Sequence, residues 1–190
     1  GAPYTSVATF TLKGGDKKIL TGIPADTKYT VSEQDYTAEG YVTDIPTNAE
    51  GTITEDGDPT VTFKNTRNVG GLTVSKTVAG NDGDLNKAFT FTVTLTAPAN
   101  VNLVGSYTGA ANGNINVAAM PTGAIWTETF SLKHGQSINF TGLPENTAYT
   151  VSEADYAAEG YVKTVSGAEE GSIKADATAT VAYTNIRDTG

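Results

Sequence analysis

The sequence has no cysteine and only one histidine, one methionine and one tryptophan among its 190 residues. Without cysteine there is no disulfide, no thiolate metal site, no cysteine nucleophile and no thioester, so covalent reinforcement has to use other side chains. Positive charge is scarce as well: 12 Lys and Arg face 21 Asp and Glu, a formal net charge of -9. That balance repels phosphate backbones and anionic lipid, which sets aside nucleic acid and membrane surfaces as partners. No apolar run approaches the roughly 18 residues of a membrane span and no signal peptide opens the chain, so the expectation is a soluble mature fragment without membrane insertion. Sustained helical spacing is missing too, which excludes a helical bundle. Threonine, in contrast, supplies about one residue in six, and with short alternating runs this composition favours β-structure.

An internal repeat organises the chain. Thr9 to Arg67 aligns without a gap on Thr129 to Arg187 at an offset of 120, with roughly half of the pairs identical. Tyr29-Thr-Val-Ser-Glu33 returns as Tyr149-Thr-Val-Ser-Glu153, Ala38-Glu-Gly-Tyr-Val42 as Ala158-Glu-Gly-Tyr-Val162, and Asn65 as Asn185. The expected division is an amino-truncated module over 1–69, lacking a counterpart of Gly70 to about Ile125, and a complete module over 70–190. An incomplete sandwich in the first copy would leave an open edge for strand donation or dimerisation.

Within the complete copy, period-two runs separated by Gly, Pro and Asn predict strands. Ala88 to Leu95 puts Phe89, Phe91, Val93 and Leu95 on one face and threonines on the other. A hairpin is expected from Phe130–Leu132 to Ile138–Phe140 around Lys133-His-Gly135, then a turn at Gly142–Asn146, a strand over Tyr149–Glu153 and a closing strand over Thr178–Asn185. Strands at these spacings predict an all-β fold of β-sandwich modules in tandem.

Three polar side chains fall on apolar faces. In the first strand Lys76 shares its face with Leu72, Val74 and Val78; Glu153 lies in phase with Tyr149 and Val151, and Asn185 with Val181 and Tyr183. An isolated buried ammonium or carboxylate costs several kcal/mol, so these groups must be paired, neutralised or consumed chemically. Burial disfavours the charged forms, which frees a neutral amine as a nucleophile and leaves a carboxylic acid able to polarise an amide carbonyl. A lysine attacking the asparagine side chain with loss of ammonia would leave an amide cross-link, with the carboxyl relaying protons and the folded core supplying proximity.

Lys76 in Leu-Thr-Val-Ser-Lys-Thr-Val, Glu153 followed by Glu159-Gly-Tyr161, and Asn185 in Tyr-Thr-Asn-Ile-Arg together resemble the isopeptide domains of Gram-positive pilins and surface adhesins, of the major-pilin or Cna-B type. The resemblance implies Ig-like, Cna-B-like sandwich modules in which Lys76 and Asn185 are the cross-linked pair and Glu153 the proton shuttle. It implies a structural stalk or shaft module of a pilus or adhesin, outside the cell and attached to the cell wall, with neighbouring modules or pilin subunits as partners. The chemistry would be a single self-cross-linking turnover, and no cofactor or metal is expected. In the first copy Glu33 and Asn65 occupy the matching positions, with no aligned lysine.

Other features read more plainly. Asn81-Asp-Gly-Asp84 and Glu55-Asp-Gly-Asp58 lack the distal bidentate glutamate of a calcium loop and read as turns. His134 reads as a hairpin-tip residue. Glu169 and Glu170, adjacent on a strand, face opposite sides and do not make a glycosidase pair. The alternative function, an adhesin domain recognising host matrix protein or glycan, would need an exposed aromatic patch, for which Trp126 and Tyr107 are the main candidates.

Overall fold

In the computed structural model of the chain, residues 5–109 and 115–190 are described. They fall into two compact units, one drawn from Gly1–Glu33 and Ile45–Thr62, the other from Gln34–Asp44 and Phe63–Gly190. Among the described residues there is no α-helix, and none of the helices is long and apolar enough to cross a membrane.

The amino-terminal repeat contributes four short strands: β1 (Lys28–Thr30), β2 (Tyr41–Asp44), β3 (Glu50–Thr52) and β4 (Lys64–Arg67). In the smaller unit β1 pairs antiparallel with β3. In the larger unit β2 pairs antiparallel with β4.

The rest of the larger unit is a two-sheet sandwich. Its strands are β5 (Val69–Ala79), β6 (Phe89–Thr96), β7 (Leu103–Gly109), β8 (Ile115–Met120), β9 (Ile125–Leu132), β10 (Ser137–Pro144), β11 (Ala148–Glu153), β12 (Val162–Ser166), β13 (Glu170–Ser172) and β14 (Thr178–Ile186). One sheet runs β12-β14-β5-β10-β7-β8 and the other β13-β11-β6-β9. Every pairing is antiparallel except that of β5 with β14. The first and last strands of the module are therefore parallel neighbours inside one sheet.

Alternation decides which side chains enter the core. Phe89, Phe91, Val93 and Leu95 of β6 are fully buried, as are Leu72 and Val74 of β5 and Val181 and Tyr183 of β14. The expected turn at Gly142–Asn146 begins later than the sequence suggests. A bulge after Phe140, with Gly142 at a φ of 70° that suits glycine, lets β10 continue to Leu143 and Pro144 opposite Gly70 and Val69. Tyr107 is a second correction: it is fully buried, its ring 5.1 Å from Phe140, and Trp126 packs against the same cluster. Tyr107 is thus part of the core, with β7 one strand in from the edge of the larger sheet, while Trp126 is only partly buried.

Candidate functional site

Lys76, Glu153 and Asn185 are all buried in the sandwich. Lys76 on β5 lies in register with Tyr183 on parallel β14, and Asn185 follows two residues later on the same face, opposite Val78. The lysine and asparagine thus sit diagonally on neighbouring strands of one sheet. Glu153 reaches them from the facing sheet, at the end of β11, where it is in register with Phe91.

The Lys76 Nζ lies 2.6 Å from Glu153 Oε1, with neither side chain appreciably exposed. Below the amine is the Phe89 ring, its centroid 3.9 Å away, with Phe91 at 6.0 Å. Burial holds the Lys76 amine below its ordinary value of 10.5, against the opposing pull of its bond to Glu153. A short bond in a dry site lets one proton pass between amine and carboxylate, and its transfer leaves both groups neutral. Two acceptors in this site, Glu153 Oε2 and Asn185 Oδ1, are buried without a hydrogen-bond partner among the described residues. Orphaned buried oxygens cost roughly 1–3 kcal/mol each.

The segment after β11 builds the floor under the amine. Residues Ala157–Glu159 form a 3₁₀ turn ended by Gly160 at a φ of 84°, the left-handed cap that glycine adopts without strain. This turn presents Tyr156 and Tyr161 edge-on to Phe89, with centroids at 4.8 and 5.2 Å. The Glu-Gly-Tyr motif therefore fixes the ring on which the lysine rests. A surface pocket lined by Glu153, Tyr156, Tyr161, Lys163 and Asn185 adjoins the site.

From the other side, the turn between β9 and β10 holds the lysine's backbone. Lys76 N–H donates to Gln136 O and Gly135 N–H donates to Lys76 O, both at 2.9 Å, and the Val78 N–H donates to His134 Nδ1 at 3.0 Å. His134 is at the hairpin tip, and its imidazole continues the ladder past the end of β10. Sequence phase reveals Lys76, Glu153 and Asn185, but not the Phe89 platform or this clamp, since both depend on which loops meet across the sheets.

The remaining candidates lie elsewhere. Glu33 and Asn65 are both exposed, and Asn65 Oδ1 accepts a hydrogen bond from Thr43 Oγ1 at 2.5 Å. Asn81–Asp84 forms a turn bound to the chain end, with Asp188 Oδ1 accepting from the Asn81 N–H at 2.7 Å. Among the described residues no group of three or more His, Cys, Asp or Glu is placed to hold a metal ion.

The sequence matches the profile of a family described as a domain of unknown function, DUF7601, twice, over residues 4–67 and 70–187. The chain belongs to the DUF7601 family. This DUF7601 chain is 31% identical over 143 residues to a pilin of Streptococcus pyogenes serotype M1, an alignment that covers 67% of the chain and 42% of the pilin. It is 32% identical over 124 residues to the pilus tip adhesin Cpa of Streptococcus pyogenes, covering 62% of the chain and 17% of the adhesin. The chain thus spans less than half the length of either relative. Among solved structures, the major pilin of Streptococcus pyogenes superposes with a TM-score of 0.56 at 22% identity, covering 84% of this chain and 68% of the other. The major pilin T3.2 gives 0.56 at 23%, covering 87% and 69%. The resemblance to Gram-positive pilins and surface adhesins and the all-β sandwich fold are both borne out.

Proposed function

We infer that the chain is a structural module of a Gram-positive pilus shaft or adhesin stalk, held by an amide bond that forms by itself between Lys76 and Asn185. The observation that carries this reading is the buried Lys76 amine, 2.6 Å from a buried carboxylate and one diagonal step from a buried asparagine on the adjoining strand. The similarity to a pilin and a pilus tip adhesin supports the setting: an extracellular, wall-attached surface protein whose partners are neighbouring modules or pilin subunits.

The steps follow from the residues. Transfer of the shared proton to Glu153 leaves Lys76 with a free electron pair, and Nζ attacks the Asn185 side-chain carbonyl carbon. The protonated carboxyl donates to Asn185 Oδ1, which gives that orphaned oxygen a partner and polarises the carbonyl. The C–N bond to the side-chain nitrogen then breaks, Glu153 relays a proton from the attacking to the departing nitrogen, and ammonia leaves. The product is a secondary amide with one ammonia lost, and Glu153 is regenerated without a second substrate to turn over.

The bond would join strands that are first and last in the module and parallel neighbours in the sheet. Force applied between Val69 and Ile186 would pass along β5, cross at Lys76 and Asn185, and leave along the end of β14. The intervening residues would carry none of it, which suits a stalk under tension. Intact mass spectrometry tests the reading. The wild type is expected to weigh one ammonia less than its sequence, and Glu153→Ala to keep the full mass. A wild type at full mass would remove the cross-link.

A further inference from the structure

We propose that Tyr183 is a positioning residue for the cross-linking reaction, its hydroxyl tying the strand that carries Asn185 to the strand that carries Glu153. This rests on the cross-link proposed above and adds a residue that the lysine, glutamate and asparagine pattern does not contain.

The geometry places Tyr183 two residues before Asn185 on β14, and Val151 two residues before Glu153 on β11, each pair sharing a face. The two strands belong to opposite sheets. The Tyr183 hydroxyl crosses between them, its single proton shared between Val151 O at 3.0 Å and Glu169 Oε1 at 2.8 Å. The reacting side chains thus stand one two-residue step, about 7 Å, beyond a direct bond between sheets.

That bond occupies a gap in the sheet. Val151 N–H donates to Glu169 O at 2.7 Å, while strand pairing between β11 and β13 covers only Ala148 to Thr150. Among the described residues no backbone N–H returns a bond to the Val151 carbonyl on that side, and the phenol faces it instead. The Tyr183 ring is fully buried, in register with Lys76, and meets Phe91 edge-on at 5.1 Å. Phe91 is itself the register partner of Glu153. The Tyr183 side chain therefore lies beside Lys76 and packs on the register partner of Glu153. Burial first, and then the bond to Glu169, hold the phenol far above its ordinary value, so it remains a donor through any pH at which the module folds.

The repeat provides an internal comparison. At the offset of 120, Tyr183 corresponds to Phe63, Glu169 to Ala49 and Val151 to Val31. The backbone bond survives, since Val31 N–H donates to Ala49 O at 2.7 Å, but the hydroxyl and its carboxylate acceptor are both replaced by apolar groups. The hydroxyl and the carboxylate change together, as expected of two parts of one device. Phe63 also shows that phenylalanine is acceptable at this place in the sequence motif.

The test follows conversion in time. Wild type, Tyr183→Phe and Glu169→Gln are made by a short pulse of cell-free synthesis and chased well below their melting points, with intact mass read at intervals and far-UV circular dichroism confirming that each is folded. Tyr183→Phe is expected to lose ammonia more slowly by about ten- to a hundredfold, because small misplacement of reacting groups costs that much. Glu169→Gln, which keeps an acceptor oxygen, is expected to convert close to the wild-type rate. A purely structural hydroxyl would lower the melting temperature of Tyr183→Phe without changing the conversion rate of folded molecules. Conversion of folded Tyr183→Phe at the wild-type rate overturns the positioning role and leaves the cross-link standing. A wild type that never loses ammonia overturns both.

Discussion

The two copies of the repeat share about half their residues yet build different amounts of structure, and the difference separates local from long-range causes. Features closed by nearby residues recur. The strand pairs β1–β3 and β11–β13 have the same register, Lys28 opposite Thr52 and Ala148 opposite Ser172. Tyr29 and Tyr149 donate to the carbonyls of Asn48 and Ala168, both at 3.4 Å. The Ala-Glu-Gly-Tyr motif ends a 3₁₀ turn in both, with Gly40 and Gly160 at φ of 87° and 84°. Features that need distant strands do not recur. Phe130 and Phe140 are 4% and 1% exposed beneath β6 and β5, whereas their counterparts Phe10 and Leu20 are 45% and 55% exposed, in segments without strand structure. Among the described residues no strand pairs with those segments. A strand pattern is a capacity for pairing, and the partner decides whether it is used.

The largest effect that would sharpen this contrast is loss of the covalent closure proposed for the second copy. By analogy with disulfides, a cross-link enclosing roughly 100 residues stabilises by about 4–5 kcal/mol through the unfolded chain. Lys76→Ala is expected to lose about that much in urea unfolding and to lengthen in single-molecule extension. Equal stability and extension in mutant and wild type would remove the mechanical role. Matched truncations come next. Phe140→Ala is expected to cost about 3–5 kcal/mol through the cavity it leaves, whereas Leu20→Ala should stay within about 0.5 kcal/mol. Similar losses at both positions would break the comparison, because Leu20 would then be packed as its counterpart is.

How far the sequence anticipates the structure divides along the same line. The inward phase of Lys76, Glu153 and Asn185 is legible because alternation along a strand is a local property, and all three are buried. The parallel pairing of β5 with β14 is not legible from either strand, since two alternating runs carry no mark of their relative direction. Tyr107 illustrates the same limit: its exposure was set by where β7 enters the sheet. The clamp of His134 on β5 and the reach of Tyr183 to Val151 are likewise contacts between elements far apart in sequence. The Glu-Gly-Tyr motif is intermediate. Its turn is local, but its purpose, holding Tyr156 and Tyr161 against the ring beneath the amine, emerges only when the sheets meet.

The smallest expected effect is a pH dependence that only an unlinked site possesses. In Asn185→Ala the Lys76 amine remains free, and burial holds it below its ordinary value despite the bond to Glu153. Unfolding returns the amine to water, where it keeps its proton up to a pH of about 10.4. Between the depressed folded value and that ordinary one the unfolded chain binds more protons, so stability rises with pH across that window. Below the window the amine is charged in both states and contributes no slope. In a linked wild type an amide would replace the amine and the slope would be missing. The Tyr183 phenol acts in the opposite sense, since its raised folded value makes stability fall once the unfolded phenol ionises near a pH of about 10. Urea midpoints between neutral pH and about 9.5 avoid that region, and subtracting the double variant Lys76→Met with Asn185→Ala isolates the lysine. The difference is expected to rise by at most about 1.4 kcal/mol per pH unit. A flat or falling difference would show that Lys76 stays charged in the folded core throughout that range, and the attack by a neutral amine would lose its physical basis.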